Sequence, residues 1–146
     1  MRKGGFFVAG VLVGLAAMGC PNAPVADGQV DDDRDAVLIF VGDGFIAAVR
    51  EGQSTGEQFV DICDGWFPAA ANHELTIDTP LNMDVKVEGD VEARLWVLCE
   101  GSNYCGDVLD NRTEFNRFWN RADCEIYIGT ADEGGEIEYE LELEAE

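Results

Sequence analysis

Few residues in this chain could carry acid–base or nucleophilic chemistry. His73 is the only histidine, and Ser54 and Ser102 are the only serines. A serine nucleophile needs a base held beside it, and neither serine lies in a Gly-x-Ser-x-Gly turn. His73 and Glu74 are not followed by the second histidine of a zincin helix. We therefore expect His73 to be a loop or strand-edge residue and the protein not to be an enzyme.

One acidic loop has the oxygen ligands that calcium prefers, which are carboxylates, carbonyls and water. Asp107, Asp110 and Asn111 lie in this loop, and Glu92 is a fourth candidate ligand. These residues do not follow the Asp-x-Asp-x-Asp-Gly register of an EF-hand. Two interpretations stay open, a calcium site and a solvated acidic loop that binds no metal. No other cofactor is predicted.

Two tryptophans, Trp66 and Trp119, are candidate rings for stacking on a carbohydrate. Aromatic rings more often fill the core, because each buries a large apolar area. A calcium-dependent carbohydrate-binding module, with the acidic loop and an exposed Trp66 or Trp119, is therefore the alternative function. The favoured function is a non-enzymatic binding or accessory module of the cell envelope.

Five cysteines suggest a disulfide framework. If Cys20 carries a lipid, an even number of four remains, which fits two disulfides in an exported protein. A zinc site is disfavoured because no Cys-x2-Cys knuckle is present. Cys99 and Cys105 flank a short turn-forming stretch and are predicted to pair. By elimination Cys63 pairs with Cys124, which closes a loop of about sixty residues and adds roughly 4 kcal/mol of stability.

The first twenty residues have the features of an export signal. Residues 1–3 are basic, residues 6–18 are apolar, and Ala17 to Cys20 ends the run with small residues and a cysteine. The apolar run is shorter than the roughly 20 residues that span a bilayer. The pattern resembles a bacterial lipoprotein signal, with residues 1–19 cleaved and Cys20 acylated. An ordinary signal peptide with a coincidental Cys20 is the competing interpretation. Residues 20–35 are predicted to be a disordered acidic tether.

The charge of the chain limits its partners. The formal net charge is −21, and removal of Arg2 and Lys3 with the signal peptide makes it −23. Such a surface repels nucleic acid and anionic headgroups, so neither is a predicted partner. We interpret the acidic surface as a solubility feature rather than a docking face. The expected protein is a monomer, anchored to a membrane by its lipid in the periplasm or at the cell surface, with an envelope protein or a glycan as partner.

The region from Ala36 to Glu146 is predicted to be one all-β domain. Short β-branched or alternating segments are separated by turn signals, which favours an antiparallel β-sandwich. Residues 37–41 and 45–49 are predicted to form a hairpin, residues 50–56 a loop, and residues 113–120 a helical turn or irregular loop. The other predicted strands cover residues 58–63, 74–78, 83–88, 91–98, 125–129 and 136–144.

The last predicted strand has the clearest pattern. Ile137, Tyr139, Leu141 and Leu143 alternate with five glutamates between positions 136 and 144. In a strand, alternate side chains point to opposite faces. The apolar set is therefore expected in the core, and the glutamates are expected to face water along an outer strand, where charge opposes edge-to-edge aggregation.

The later part of the chain contains a familiar order of motifs. Two strands at 74–78 and 83–87 flank a turn, and a Gly-Asp turn opens a strand of Asp-x-x-Leu-aromatic-Leu type at 89–98. A cysteine pair beside an acidic loop follows, and Tyr-x-Leu-x-Leu closes the series at 139–143. From 58 to 144 this order resembles the bacterial pre-peptidase C-terminal (PPC) domain.

The resemblance implies a small jelly-roll-like β-sandwich that acts as a non-catalytic accessory module. It implies no reaction. The chain departs from the family pattern at Glu92, where aspartate is usual, and at Cys124, in a late strand that lacks a usual glycine. Residues 36–49 are not explained by the resemblance.

Overall fold

Alternating apolar residues build two β-sheets that pack face to face. A computed structural model describes residues 30–31 and 38–146 of the chain. These residues form thirteen strands and one 3-10 helix, Asp61–Cys63. The strands are β1 (Val30–Asp31), β2 (Leu38–Val41), β3 (Ala47–Thr55), β4 (Gln58–Val60), β5 (Gly65–Phe67), β6 (His73–Ile77), β7 (Leu81–Gly89), β8 (Ala93–Cys99), β9 (Ser102–Cys105), β10 (Asp107–Leu109), β11 (Arg112–Trp119), β12 (Ala122–Thr130) and β13 (Glu136–Ala145).

Strand β13 lies in the middle of the first sheet, sheet A, whose order is β1-β3-β13-β7-β11-β10. Nine residues of β13 pair with β3 along one edge, and seven pair with β7 along the other. The predicted alternation is confirmed, because its apolar side chains are buried and glutamates point outward. The expected outer position is wrong, since β13 has a neighbour on each side. The buried set is Ile137, Tyr139, Leu141 and Leu143.

Strand β12 is the corresponding central strand of the second sheet, sheet B. It pairs with β8 over seven residues, with β6 over five, and with β5 at Thr130. Strand β8 also pairs with β9, β6 with β2, and β5 with β4. The main core lies between the sheets and contains Ile39, Val41, Leu75, Ile77, Val85, Val87, Leu95, Val97, Ile126 and Ile128 besides the buried face of β13.

Two strand pairs differ from the predicted antiparallel arrangement. Strand β2 runs parallel to β6 in sheet B, and β1 runs parallel to β3 in sheet A. The predicted hairpin between residues 37–41 and 45–49 is therefore wrong, because the two segments lie in different sheets. The turn between them includes Gly44, whose positive φ of 84° suits glycine. The fold is an all-β sandwich with mixed sheets.

The predicted loop at residues 50–56 is also wrong, because β3 continues through it to Thr55. The inward-facing positions carry polar or small residues that only the tertiary structure accommodates. Arg50 donates to the carbonyl of Leu38, and the Ser54 hydroxyl donates to the carbonyl of Ile128 at 2.7 Å. A Cβ at position 52 would lie 2.6 Å from the hydroxyl oxygen of Tyr139, so glycine is required there.

The region predicted as a helical turn or loop, residues 113–120, forms most of strand β11. All eight residues of β11 pair with β7. Phe115 and Trp119 face the core, whereas Phe118 is exposed on the other face of the strand. The aromatic spacing that suggested a helix therefore reflects two different faces of a strand. The predicted strand at 58–63 is divided into β4 and the 3-10 helix.

All four cysteines of the domain form disulfides, as predicted, but the predicted pairing is wrong. The bonds join Cys63 to Cys105 and Cys99 to Cys124. In the β8–β9 hairpin, Cys99 lies opposite Ser102 and Cys105 lies opposite Trp96. Cys99 therefore faces the core and Cys105 faces the other side of sheet B, so the two sulfurs cannot meet.

Cys99 and Cys124 lie directly opposite each other on β8 and β12, with Cα atoms 4.2 Å apart. This separation is close to that of a non-hydrogen-bonded antiparallel pair. Cys63 lies in the 3-10 helix and joins the segment from 58 to 67 to the outer side of sheet B. We call this segment the strap.

Several predictions concern residues outside those described. The signal peptide at 1–19, the acylated Cys20 and most of the tether at 20–35 belong to this group. Within the tether, Val30–Asp31 form β1. In residues 30–31 and 38–146, no helix is long and apolar enough to cross a membrane.

The disulfide pattern predicts a specific peptide map and separate stability losses. Proteolysis without reductant should give linked peptides containing Cys63 with Cys105 and Cys99 with Cys124. The bonds close loops of 42 and 25 residues, so paired alanine substitutions should cost about 4 and about 3.5 kcal/mol of unfolding free energy. Urea unfolding of Cys63→Ala/Cys105→Ala and Cys99→Ala/Cys124→Ala measures both losses. A linked Cys99–Cys105 peptide would contradict the structure.

Candidate functional site

The only histidine lies in the core rather than at an accessible site. His73 is the first residue of β6 and is 2% exposed. Its Nε2 atom lies 2.9 Å from the hydroxyl oxygen of Tyr139 on β13, so this pair joins the two sheets. His73 was predicted to be a loop or strand-edge residue, and it lies at the first position of a strand; its burial was not predicted. A substrate cannot reach this imidazole in the folded protein.

Burial also changes the acid–base chemistry of the partner. Desolvation raises the pKa of Tyr139 to about 12 from 10.0, because the phenolate would lose its contact with water. The hydroxyl therefore stays protonated at neutral pH. Which group donates the hydrogen bond depends on the tautomer of the imidazole. The His73–Tyr139 pair is a buried contact that joins the two sheets.

Arg50 is a second buried polar residue, and the sequence analysis missed it. Its side chain is fully buried on β3 and donates to the backbone carbonyls of Leu38 and Val49, each at 3.1 Å. These contacts connect β3 of sheet A with β2 of sheet B. The burial of Arg50 could have been inferred only from its position on the inward face of β3. Because residues 50–56 were predicted to be a loop, that inference was not made.

The four predicted calcium ligands are placed separately. Glu92 forms an ion pair with Arg94. Asp107 begins β10, and Asp110 and Asn111 form the turn to β11, where Asp110 has a φ of 59°. The Asn111 amide nitrogen donates to the carbonyl of Gly89 at 2.8 Å. No set of three or more His, Cys, Asp or Glu side chains in residues 30–31 and 38–146 is arranged to hold a metal ion. Calcium binding stays a prediction.

The two candidate tryptophans have different environments. Trp119 is only 2% exposed, and its indole nitrogen donates to the carbonyl of Met83 at 3.0 Å. The prediction that Trp119 is an exposed stacking ring is therefore wrong. Trp66 is half-buried on the strap, where its ring packs 5.5 Å from that of Phe59, which is 47% exposed. Only Trp66 is placed where a ligand could contact it.

The strap covers a second, smaller core on the outer side of sheet B. Phe67 is fully buried there and packs edge to face against Trp96, which stacks on Tyr127 with ring centroids 4.3 Å apart. Burial and a hydrogen bond to Glu125 raise the pKa of Tyr127. The Cys63–Cys105 bond holds the strap over these rings. From the sequence alone, this region is predicted only as a strand and an irregular connection.

The outer side of sheet A is an acidic face. Glu51, Glu140 and Glu88 are opposite one another on three neighbouring strands. In the next row, Lys86 lies 3.2 Å from Glu142, and this hydrogen-bonded contact raises the pKa of the lysine. A shallow depression on this face is lined mainly by acidic and polar residues. The arrangement agrees with a solubility role for the glutamates of β13.

A small cavity at the opposite side of β11 differs in charge from this face. It has a volume of about 200 Å³ and lies where β8, β9, β11 and β12 meet. Arg117 and Arg121 line it together with Tyr104, Ser102 and Glu100. The guanidinium carbon of Arg117 lies 4.0 Å from the centroid of the Tyr104 ring. Two arginines therefore share one cavity in a strongly acidic protein.

Comparison with known proteins supports the fold assignment. No family model and no curated protein matches the chain. Among solved structures, the PPC domain of a collagenase from Bacillus anthracis is similar, with a TM-score of 0.50 and 12% identity over 84% of this chain and 99% of that chain. At this identity the likeness shows the fold alone. The chain therefore contains a PPC-like β-sandwich, and the resemblance seen in its motifs is confirmed at the level of fold.

A second solved structure is less similar. PliG of Aeromonas hydrophila, a periplasmic inhibitor of g-type lysozyme, has a TM-score of 0.46 and 16% identity over 83% of this chain and 100% of that chain. A TM-score at this level supports no argument about the present protein.

The buried Tyr139 predicts a loss of stability in alkali. The tyrosine ionises near pH 10 when unfolded but near pH 12 when folded, so ionisation above pH 10 stabilises the unfolded state relative to the folded state. Stability should therefore fall between pH 10 and 12 by about 2 to 3 kcal/mol from this residue. Tyr139→Phe should be less stable at pH 7, because the His73 ring loses its partner, but should lose less on going to pH 11.5. Urea midpoints at both pH values test this, and equal losses in the two proteins would contradict it.

Proposed function

We propose that this protein is a lipid-anchored, non-enzymatic protein of the cell envelope that acts as a binding or accessory module. The observation that carries the non-enzymatic part is the burial of His73 against Tyr139. An accessible general base is the usual activator of a serine nucleophile. One of the two serines, Ser54, donates its hydroxyl to the Ile128 carbonyl inside the sandwich.

Export is supported by the cysteines. Both disulfides of the domain are formed, and such bonds persist in oxidising compartments. The lipid anchor is supported by the sequence around Cys20, where an apolar run ends in small residues and a cysteine. Acylation at this position would hold the sandwich at a membrane, with residues 20–35 between them. The PPC-like fold is compatible with a module that presents loops and sheet faces to a partner.

Binding is supported by the surface of the sandwich. Exposed apolar residues at Phe59 and Ile62 of the strap, and the cavity of Arg117 and Arg121, are both solvent-accessible features that the fold itself does not require. An envelope protein or a glycan is the proposed partner class. The acidic surface makes nucleic acid an unfavourable partner.

The alternative function, a calcium-dependent carbohydrate-binding module, needs oxygen ligands gathered around one ion. The ion pair of Glu92 with Arg94 opposes that arrangement, because it already engages one of the candidate carboxylates. Calorimetry with calcium tests it directly. Tight binding that is abolished in both Asp107→Ala and Asp110→Ala would favour the alternative.

The lipid anchor predicts a mass and a location. In the native cell, the mature protein should begin at an acylated Cys20 and partition with membranes. The Cys20→Ala variant should lose the lipid mass and most of its membrane association, because no second anchor is predicted. Intact-mass spectrometry and membrane fractionation measure both effects, with Cys63→Ala/Cys105→Ala as a control that should stay anchored. An unmodified Cys20 in the mature protein, or cleavage elsewhere, would refute the anchor.

The non-enzymatic proposal predicts that His73 affects stability rather than turnover. His73→Gln should lower the urea midpoint, since the contact with Tyr139 changes. It should leave capture of envelope material by the folded protein unchanged at a temperature where the variant is native. Turnover of a peptide or glycan substrate by the wild type, lost in this variant while the fold persists, would overturn the proposal.

A further inference from the structure

The cationic side chains of this acidic protein divide into two groups. Six lie in residues 38–146, and four of them are either fully buried or paired with a carboxylate. Arg50 bonds to backbone carbonyls, and the other three pair with Glu142, Glu92 and Glu114. Within the described residues, the remaining two have no carboxylate oxygen within 4.0 Å. The first group is Arg50, Lys86, Arg94 and Arg112, and the second is Arg117 and Arg121.

Both arginines without a carboxylate line the same cavity of about 200 Å³. Each uses its Nε–H for a backbone carbonyl, Arg117 for Phe118 and Arg121 for Asp78, both at 3.0 Å. Their Nη groups make no hydrogen bond to any described residue. Each guanidinium therefore keeps its paired Nη donors for an outside acceptor.

The position of Arg117 is fixed before any ligand arrives. Its guanidinium lies over the ring of Tyr104 at 4.0 Å and near that of Trp119 at 5.4 Å. Such cation–π contacts orient the group without neutralising its charge. The rings are themselves packed, because Tyr104 and Trp119 form an edge-to-face pair with centroids 5.9 Å apart. An oriented guanidinium loses less conformational entropy on binding.

The remaining groups at the cavity provide both donors and acceptors. Ser102 has a hydroxyl and Asn120 an amide, and Glu100 contributes a carboxylate that already accepts from the backbone N–H of Asp123 at 3.2 Å. With two arginines and one glutamate, the formal charge of the lining is +1. The lining of this cavity is therefore net positive in a chain of charge −21, although Asp78 and Asp123 line the neighbouring depression beside Arg121.

We propose that this cavity binds the carboxylate of an acidic sugar at the end of a glycan. Guanidinium groups bind planar carboxylates in a two-pronged geometry, which accounts for two neighbouring arginines that have no carboxylate partner among the described residues. The hydroxyl and amide groups of Ser102 and Asn120 suit the hydroxyls of a sugar ring, which both donate and accept. The cavity is smaller than the roughly 300–1,000 Å³ of sites that enclose a whole drug-sized ligand, so it accepts one terminal unit. This inference rests on the proposed binding function and names its ligand class.

A pair of matched ligands tests the proposal on the full chain in neutral detergent. Methyl β-glucuronide and methyl β-glucoside have the same ring and differ at the carboxylate. Chemical-shift titration should show saturable binding of the glucuronide, with shifts at the Nε–H signals of Arg117 and Arg121. The signal of Arg112, which lies on the other face of β11 beside Glu114, should not shift. Binding should persist in a calcium chelator.

Three variants separate a specific site from general attraction. Arg121→Gln alters an exposed side chain and should weaken glucuronide binding at least tenfold, because a charge-assisted contact is lost. Arg117→Lys keeps the charge but removes the planar fork, and should also weaken binding. Arg112→Gln removes the same charge away from the cavity and should have little effect. Thermal unfolding of each variant establishes that the fold is retained.

Several results would overturn the proposal. These are equal binding of the glucoside, an equal loss in Arg112→Gln, or no saturable binding of the glucuronide. Binding of a tripeptide with a free carboxyl terminus, but not of the glucuronide, would assign the cavity to peptide ends instead. If the proposed glycan site fails these tests, the broader binding function can still be tested separately. Capture of envelope material is then compared between the wild type and Arg121→Gln. Capture that is unchanged in the variant keeps the binding function and removes this site.

Discussion

Burial of one side of β13 is the constraint on which the rest of the sandwich depends. Four of its side chains are buried between the sheets, and each such burial is worth about 1.5–3 kcal/mol. Their sum is comparable with the about 5–15 kcal/mol by which a whole domain is stable. A slip of one residue would turn every glutamate of the strand inward. The register with β3 and β7 is therefore fixed, and Gly52 follows from it because the Tyr139 ring occupies the space of a side chain there.

The same two-sided geometry decides which cysteines can bond. Counting cysteines predicts two disulfides, but pairing depends on the face of the strand to which each sulfur points. Cys99 faces the core with Cys124, whereas Cys105 faces the strap with Cys63. Proximity in sequence favoured a bond between Cys99 and Cys105. The tight turn at Glu100 and Gly101, with φ values of 47° and 93°, instead places Cys99 opposite Ser102, three residues before Cys105. One bond joins two strands of a sheet, and the other closes a second layer over it.

The sequence predicted those elements whose buried faces are apolar, and missed those whose buried faces are polar. The alternation of β13 and the apolar run of β8 identified two long strands and the all-β class. Strand β3 was missed because Arg50 and Ser54 occupy core positions, where distant backbone carbonyls satisfy them. The burial of His73 was not predicted, since the hydrogen-bonding partner that helps to make it favourable is a tyrosine 66 residues away. The candidate ligands were chosen by residue type, and residue type does not reveal that Trp119 is covered or that Glu92 is already paired.

Alternation along β11 also explains how an acidic protein can contain a cavity for an anion. Glu114 points to the acidic face of sheet A, whereas Arg117 points to the other side of the strand. The net charge repels anions at a distance, but at physiological ionic strength exposed charges are screened beyond about 8 Å. Within that range the nearest groups dominate. The cavity itself is lined by two guanidiniums and one carboxylate, and Asp78 and Asp123 line a neighbouring depression that shares Arg121 and Glu100 with it. The rings of Tyr104 and Trp119 hold Arg117 without neutralising its charge. The guanidinium can therefore still attract an anion in the folded protein. One strand therefore separates a face that opposes association from a site whose charge favours a specific anionic ligand.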